Sequence, residues 1–142
     1  MKKFVRILSV VLVALMLLVT LTACAAPSKN AEKAIKSLEK SGYTVVHDTK
    51  VLPGIFTFAG YDLTSVVTAS KTVTDKNGEK KIEFLSIYYF ADKETAEKAL
   101  EKVETYASED KAEDNTAESR WVAPTRSGNI VYYGTKAAVK AA

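Results

Sequence analysis

LTSVVTASKTVT (63–74), DKNGEK (75–80) and KIEFLSIYYF (81–90) form the stretch that decides the fold. Both flanks are rich in Val, Ile, Thr, Phe and Tyr, the residues that suit a pleated, half-buried surface. Between them Asn77-Gly78 is the strongest short hairpin signal, because both central residues of a tight type I′ turn need positive φ. The reading is two antiparallel strands, 63–74 and 81–90, joined by a two-residue loop. Lys76 then faces Glu79, Val73 faces Ile82, Ala69 faces Ser86 and Val67 faces Tyr88. One sheet face would carry Val67, Val73, Ile82, Phe84, Tyr88 and Phe90. The other would carry Val66, Leu85, Ile87 and Tyr89 beside Thr68, Ser70, Thr72 and Thr74.

Upstream, Asn30 is placed to cap a helix over 31–41. Ala31, Ala34, Ile35 and Leu38 recur at helical spacing, and Gly42 supplies the stop. Residues 43–49 alternate like a strand. Pro53-Gly54 reads as a break, and 55–62 as an edge strand or packed loop. Downstream, Asp92 caps a second helix, 93–107, whose apolar stripe is Ala96, Ala99, Leu100, Val103, Tyr106 and Ala107. Residues 108–119 are acid-rich and read as a loop. Arg120-Trp121-Val122 begins a strand that Pro124 ends. Ser127-Gly128-Asn129 turns into Ile130–Tyr133, Gly134 closes that strand, and Thr135 caps a last short helix. Short hairpins imply an antiparallel sheet, and helices with one apolar stripe must pack on it. The expected fold is an α+β two-layer sandwich. It has four or five antiparallel strands with two helices on one face, within reach of a ferredoxin-like variant.

The N-terminus carries a different message. Lys2, Lys3 and Arg6 precede an almost wholly apolar run, 7–21, the n-region and h-region of a secretory signal. A plain transmembrane anchor is the runner-up, since the run falls slightly short of the roughly 20 residues that span a bilayer. Leu21-Thr22-Ala23-Cys24 follows directly, and it resembles the lipobox of bacterial lipoproteins. That resemblance implies removal of 1–23, a diacylglyceryl group on the Cys24 thiol, and a lipid-anchored protein outside the membrane. Cys24 is the only cysteine, so no disulfide within the chain competes for it. Residues 24–30 become a lipidated tether that holds the domain, 31–142, within about 20–25 Å of the bilayer. In general make-up the mature part resembles small lipoproteins of Gram-positive bacteria.

Charge agrees with that partition. The chain carries a net +3, but three of its 20 basic residues lie in the leader and none of the 17 acidic ones does. The remaining chain is neutral, with no electrostatic footprint for nucleic acid. Roughly 119 residues suit one core.

Candidate sites are few. His47 is the only histidine, and no nucleophile and orienting partner accompany it. The acids Glu109, Asp110, Glu113, Asp114 and Glu118 lack the spacing of a calcium loop, zinc has no ligand set, and no Gly-rich loop cradles a phosphate. No metal, cofactor or enzymatic activity is therefore expected. The feature above background is the second hairpin face. If two helices cover only one side of the sheet, then Val66, Leu85, Ile87 and Tyr89 face water. Val131, Tyr133, Arg120 and Trp121 could widen that patch. Such patches mark interaction surfaces, here for an envelope protein or peptide. The competing reading lets 50–62, with Ile55, Phe56, Phe58 and Tyr61, fold over the face. Those residues would then act as lid of a small apolar ligand site.

Overall fold

The 63–90 hairpin is present, but its loop differs from the tight turn expected. In the computed structural model, which describes residues 26–113 and 117–142, Thr74 pairs with Lys80, Ala69 with Leu85 and Val67 with Ile87. Asp75 causes the shift. Its backbone N–H donates to Glu79 O (2.9 Å), while its Oδ1 accepts from the N–H groups of Asn77 and Glu79 (2.8 and 3.0 Å). The Asp75–Glu79 pair thereby closes a three-residue loop, with Gly78 at φ 80° supplying the left-handed position. Lys81 Nζ adds an ion pair to Asp75 at 2.9 Å. These contacts hold the Asp75 carboxyl below its ordinary range, the hydrogen bond from Lys81 being the main cause. A one-residue slip moves each side chain to the other face. Val67 therefore sits with Leu85, Ile87 and Tyr89, and Val66 sits with Phe84, Tyr88 and Phe90.

The elements run α1 (Ala31–Lys40), β1 (Thr44–Asp48), α2 (Val51–Phe58), β2 (Leu63–Thr74), β3 (Lys80–Phe90) and α3 (Lys93–Glu113). A short 3₁₀ turn (Glu118–Arg120), β4 (Trp121–Ser127), β5 (Ile130–Thr135) and α4 (Lys136–Ala141) follow. The five strands form one open sheet in the order β1-β2-β3-β5-β4, with all neighbours antiparallel. The α+β sandwich class holds. β3 and β4 run the same way with β5 between them, so β3-α3-β4 is a split βαβ unit, as in ferredoxin-like folds. The β1-β2-β3 half is a plain meander.

The helices do not share one face. α1 and α4 bring Ala34, Leu38, Ala138 and Val139 to a core with Val67, Ala69, Leu85, Ile87, Tyr89, Ile130 and Tyr132. α2 and α3 bring Phe56, Ala96, Ala99, Val103 and Ala107 to the opposite face, with Val66, Tyr88, Phe90, Val131 and Tyr133. Helices cover both faces because apolar residues occupy both parities of β3 and β5, whose residues 85–90 and 130–135 are all buried.

Local chemistry explains where elements begin and end. Asn30 Oδ1 caps α1 by accepting from Lys33 N–H at 3.1 Å, and Asp92 Oδ1 caps α3 by accepting from Thr95 N–H at 2.8 Å. Three boundaries differ from expectation. Pro53-Gly54 lies inside α2 rather than breaking the chain, because proline is tolerated in a helix's first turn. Asp48 Oδ1 starts that helix by accepting from the Lys50 and Val51 N–H groups. α3 runs six residues past 107, since Ala107 is buried and Asp110 has a partner on β5. Pro124 does not end β4. It sits in an edge strand, at the register shift between Val122 and Thr125, where no ladder partner is lost. Thr135 stands at the cap position of α4 but spends its hydroxyl on β3, accepting from Phe84 N–H (3.1 Å) and donating to Phe84 O (3.3 Å).

Residues 1–25, Cys24 among them, and 114–116 lie outside the described residues. The described part of the expected tether does not hang free. Pro27 is buried and Ala26 packs on the α1/α4 core. The Tyr89 hydroxyl donates to Ser28 O at 2.8 Å.

Candidate functional site

The expected open face is closed. Leu85 and Ile87 are fully buried, and Tyr89 is 4% exposed beneath α1 and α4. Val66, 2% exposed, lies on the opposite face beneath α2 and α3. The four residues therefore form no common surface, and none of them is open to a macromolecular partner. The one-residue difference in register puts Val66 with Tyr88 and Phe90 instead. The unforeseen docking of α1 and α4 covered the rest.

A concave site lined by aromatic rings lies on the α2/α3 side. A cleft of about 280 Å³ is bounded by Phe56 of α2, Val66 and Thr68 of β2, and Phe84, Ser86 and Tyr88 of β3. Tyr106 and Asp110 of α3 and Tyr133 of β5 complete it. Alternation places Thr68, Phe84, Ser86 and Tyr88 on one face, so the sheet supplies the floor and the two helices supply the walls. Five of the nine lining residues are aromatic, and they touch one another. Phe56 lies 5.8 Å from Tyr88 and 5.9 Å from Tyr106 between ring centres, and Tyr88 stacks on Tyr133 at 6.1 Å. Trp121 backs Tyr133 from β4 at 5.7 Å.

The polar groups of the cleft form a short chain. The Tyr133 hydroxyl donates to Asp110 Oδ2, and the Tyr88 and Tyr133 hydroxyls lie 3.4 Å apart. Burial pushes the Tyr88 phenol up to about 12, and burial, then the neighbouring Tyr88, raises Tyr133 further still. Both phenols are thus neutral donors at physiological pH rather than bases or nucleophiles. At the rim, Lys102 Nζ sits 5.7 Å from the Phe56 ring centre and 5.9 Å from that of Tyr61, within cation–π range.

Other expected positions fall elsewhere. His47 is exposed on edge strand β1, across from Val67. Arg120 does not extend an apolar patch; its guanidinium holds Glu83 Oε1 at 2.6 Å. Glu83 Oε2 is buried with no hydrogen-bond partner among the described residues. Among those residues, no group of three or more His, Cys, Asp or Glu side chains is arranged to hold a metal ion. No helix among them is long and apolar enough to cross a membrane.

The aromatic cleft is hard to see in the sequence because its residues are scattered over five elements. The available signal was Phe84, Tyr88 and Phe90 at alternate positions of one strand. Asp110 was hidden by its place in a run of acids. No protein-family model, curated protein or solved structure matches the chain.

Proposed function

We propose that the protein is a non-enzymatic, lipid-anchored binding module on the outer side of the cell membrane. In this reading it carries a small, mostly apolar ligand in the cleft between α2, α3 and the sheet. The observation that carries the ligand reading is the cleft itself: five aromatic rings, five hydroxyls and one carboxylate around about 280 Å³. Small-ligand sites are concave and largely apolar, with a few fixed polar groups that orient the guest. Asp110 and the two neutral phenols are such groups. α2 then acts as the wall that the 50–62 segment was expected to provide, on the face opposite to Leu85, Ile87 and Tyr89. The anchor half of the reading rests on the lipobox-like Leu21–Cys24 and on the single thiol.

A neutral naphthalene fluorophore tests the site. Wild-type protein should take it up with a rise in emission, and Thr68→Phe, which fills the cleft from a half-buried strand position, should abolish uptake without altering the circular dichroism spectrum. Equal uptake by the two proteins refutes the ligand reading. Intact-mass analysis of membrane-extracted protein tests the anchor: a chain beginning at an acylated Cys24 is expected.

A further inference from the structure

We infer that α2 is a membrane-contact element that seats in the bilayer surface beside the lipid anchor, an inference that rests on Cys24 being acylated as proposed above.

α2 has the composition of an interfacial helix. No residue from Val51 to Tyr61 is charged. Phe56 turns inward and is fully buried, while Val51 and Ile55 point out, 68% and 52% exposed. Val46 of β1 is 61% exposed. It pairs with Thr68, a cleft residue, so it lies on the α2 side of the sheet. Four large exposed hydrophobics stand out among the described residues, and three of them belong to β1 and α2. The fourth, Ile82, is near the far end of the hairpin. Apolar exposure gathered in one place marks a contact surface.

The tether identifies the occupant. α2 returns to the sheet at Leu63, which pairs with Phe90, and Ala91 N–H donates to Asp62 O at 2.8 Å. The N-terminal segment lies at the same end of the sheet: Tyr89 binds Ser28 O, and the Lys29 side chain passes over Gly128 in the β4–β5 turn. Asn129 of that turn donates to Phe90 O at 3.0 Å. Ala26 is packed on the core, and the two residue steps from Ala26 back to position 24 can span at most about 7 Å. Acyl chains attached there bring the bilayer to the end of the domain that holds α2. The hairpin tip at Lys76 stands roughly 35 Å away, the length of β3. A short helix sunk about 5–10 Å into the headgroup region buries its apolar side without spanning. Basic and acidic side chains at this end, Lys29, Lys50, Lys93 and Arg126 against Asp48, Asp62, Asp92 and Glu94, balance in number. The contact is therefore driven by apolar burial.

The anchor alone keeps the protein on a membrane, so bulk binding does not report on α2. A depth probe does. Acylated protein carrying Ile55→Cys or Lys76→Cys is labelled with an environment-sensitive maleimide fluorophore, the Cys24 sulfur being blocked by its lipid. Both are reconstituted on phosphatidylethanolamine–phosphatidylglycerol vesicles. A blue-shifted emission that a lipid-borne quencher suppresses is expected at position 55 and absent at 76. Vesicle-bound protein with water-like emission at both positions overturns the seating of α2 and leaves the anchor standing. Protein with an unmodified Cys24 that fails to float with vesicles overturns the anchor, and this inference with it.

Discussion

The two faces of the sheet are made by alternate residues of the same strands, yet they end in different states. The α1/α4 face is chiefly aliphatic: Leu38, Val67, Leu85, Ile87 and Ile130 meet alanines of the helices, and Ala34 and Ala138 allow close approach. The α2/α3 face mixes aliphatic residues with more and larger rings: Phe56, Tyr88, Phe90 and Tyr133 are buried beside Val66, Val103 and Val131, with Phe84, Tyr106 and Trp121 at the margin. Flat rings in tilted and edge contacts leave gaps that branched side chains would fill. One sheet thus backs a sealed, chiefly aliphatic core on one side and an aromatic-lined cleft on the other.

The harshest way to break this contrast is to separate the strands that both faces share. At Gly134 a Cβ would lie 2.2 Å from Phe84 O, and its φ of 152° strains any other residue. Gly134→Ala should cost roughly 3–5 kcal/mol by overpacking and backbone strain together, read as a large drop in the denaturation midpoint. Truncation on each face is the sharper comparison. Ile87→Ala on the sealed side should cost about 3 kcal/mol, because a fully buried side chain leaves a cavity. Phe84→Ala, at a half-buried cleft wall, should cost about half that, since water refills the space. Only the second should alter uptake of the naphthalene probe.

Alkali acts on both faces. Tyr88, on the cleft side, and Tyr89, on the sealed side, are each pushed up to about 12 from the ordinary 10.0, burial being the first cause. Below pH 10 both are protonated in folded and unfolded chains, and their contribution is intact. Above it the unfolded chain loses its protons first, so stability falls between about pH 10 and 12, by roughly 2–3 kcal/mol per tyrosine. Tyr89→Phe should remove one such increment from the pH profile of urea denaturation; an unchanged profile contradicts it. The smallest effect is at the polar chain of the cleft. Tyr133→Phe takes the donor from Asp110 and should cost about 1 kcal/mol, measurable by denaturant titration.

How much of this was legible follows from where the deciding contacts are made. The 63–90 hairpin, both helix caps and the antiparallel sheet depend on local signals, and they emerged from the residues directly. The register depended on Asp75, whose side chain chose a three-residue loop over the two-residue turn that Asn77-Gly78 suggests. That single residue reversed the faces, so Val66 was grouped with Leu85, Ile87 and Tyr89 when its neighbours are Phe84, Tyr88 and Phe90. Pro53 and Pro124 were read as breaks because proline's tolerance depends on position. One lies in a first helical turn and the other in an edge strand, and neither location is visible without tertiary context. Asp110 gained its role only through Tyr133, 23 residues away. Closure of the α1/α4 face depends on the docking of α1 against α4, elements about a hundred residues apart in the sequence.

The placement of β5 has a consequence for how the molecule is made. This strand lies between β3 and β4, yet both of its neighbours precede it in the sequence. A chain emerging amino end first must hold Leu85–Tyr89 as a bare apolar strand edge until residues 130–135 follow. Such an edge is sticky. Synthesis interrupted anywhere before Ile130 leaves a split with no plug, and Ile130–Thr135 work as the keystone.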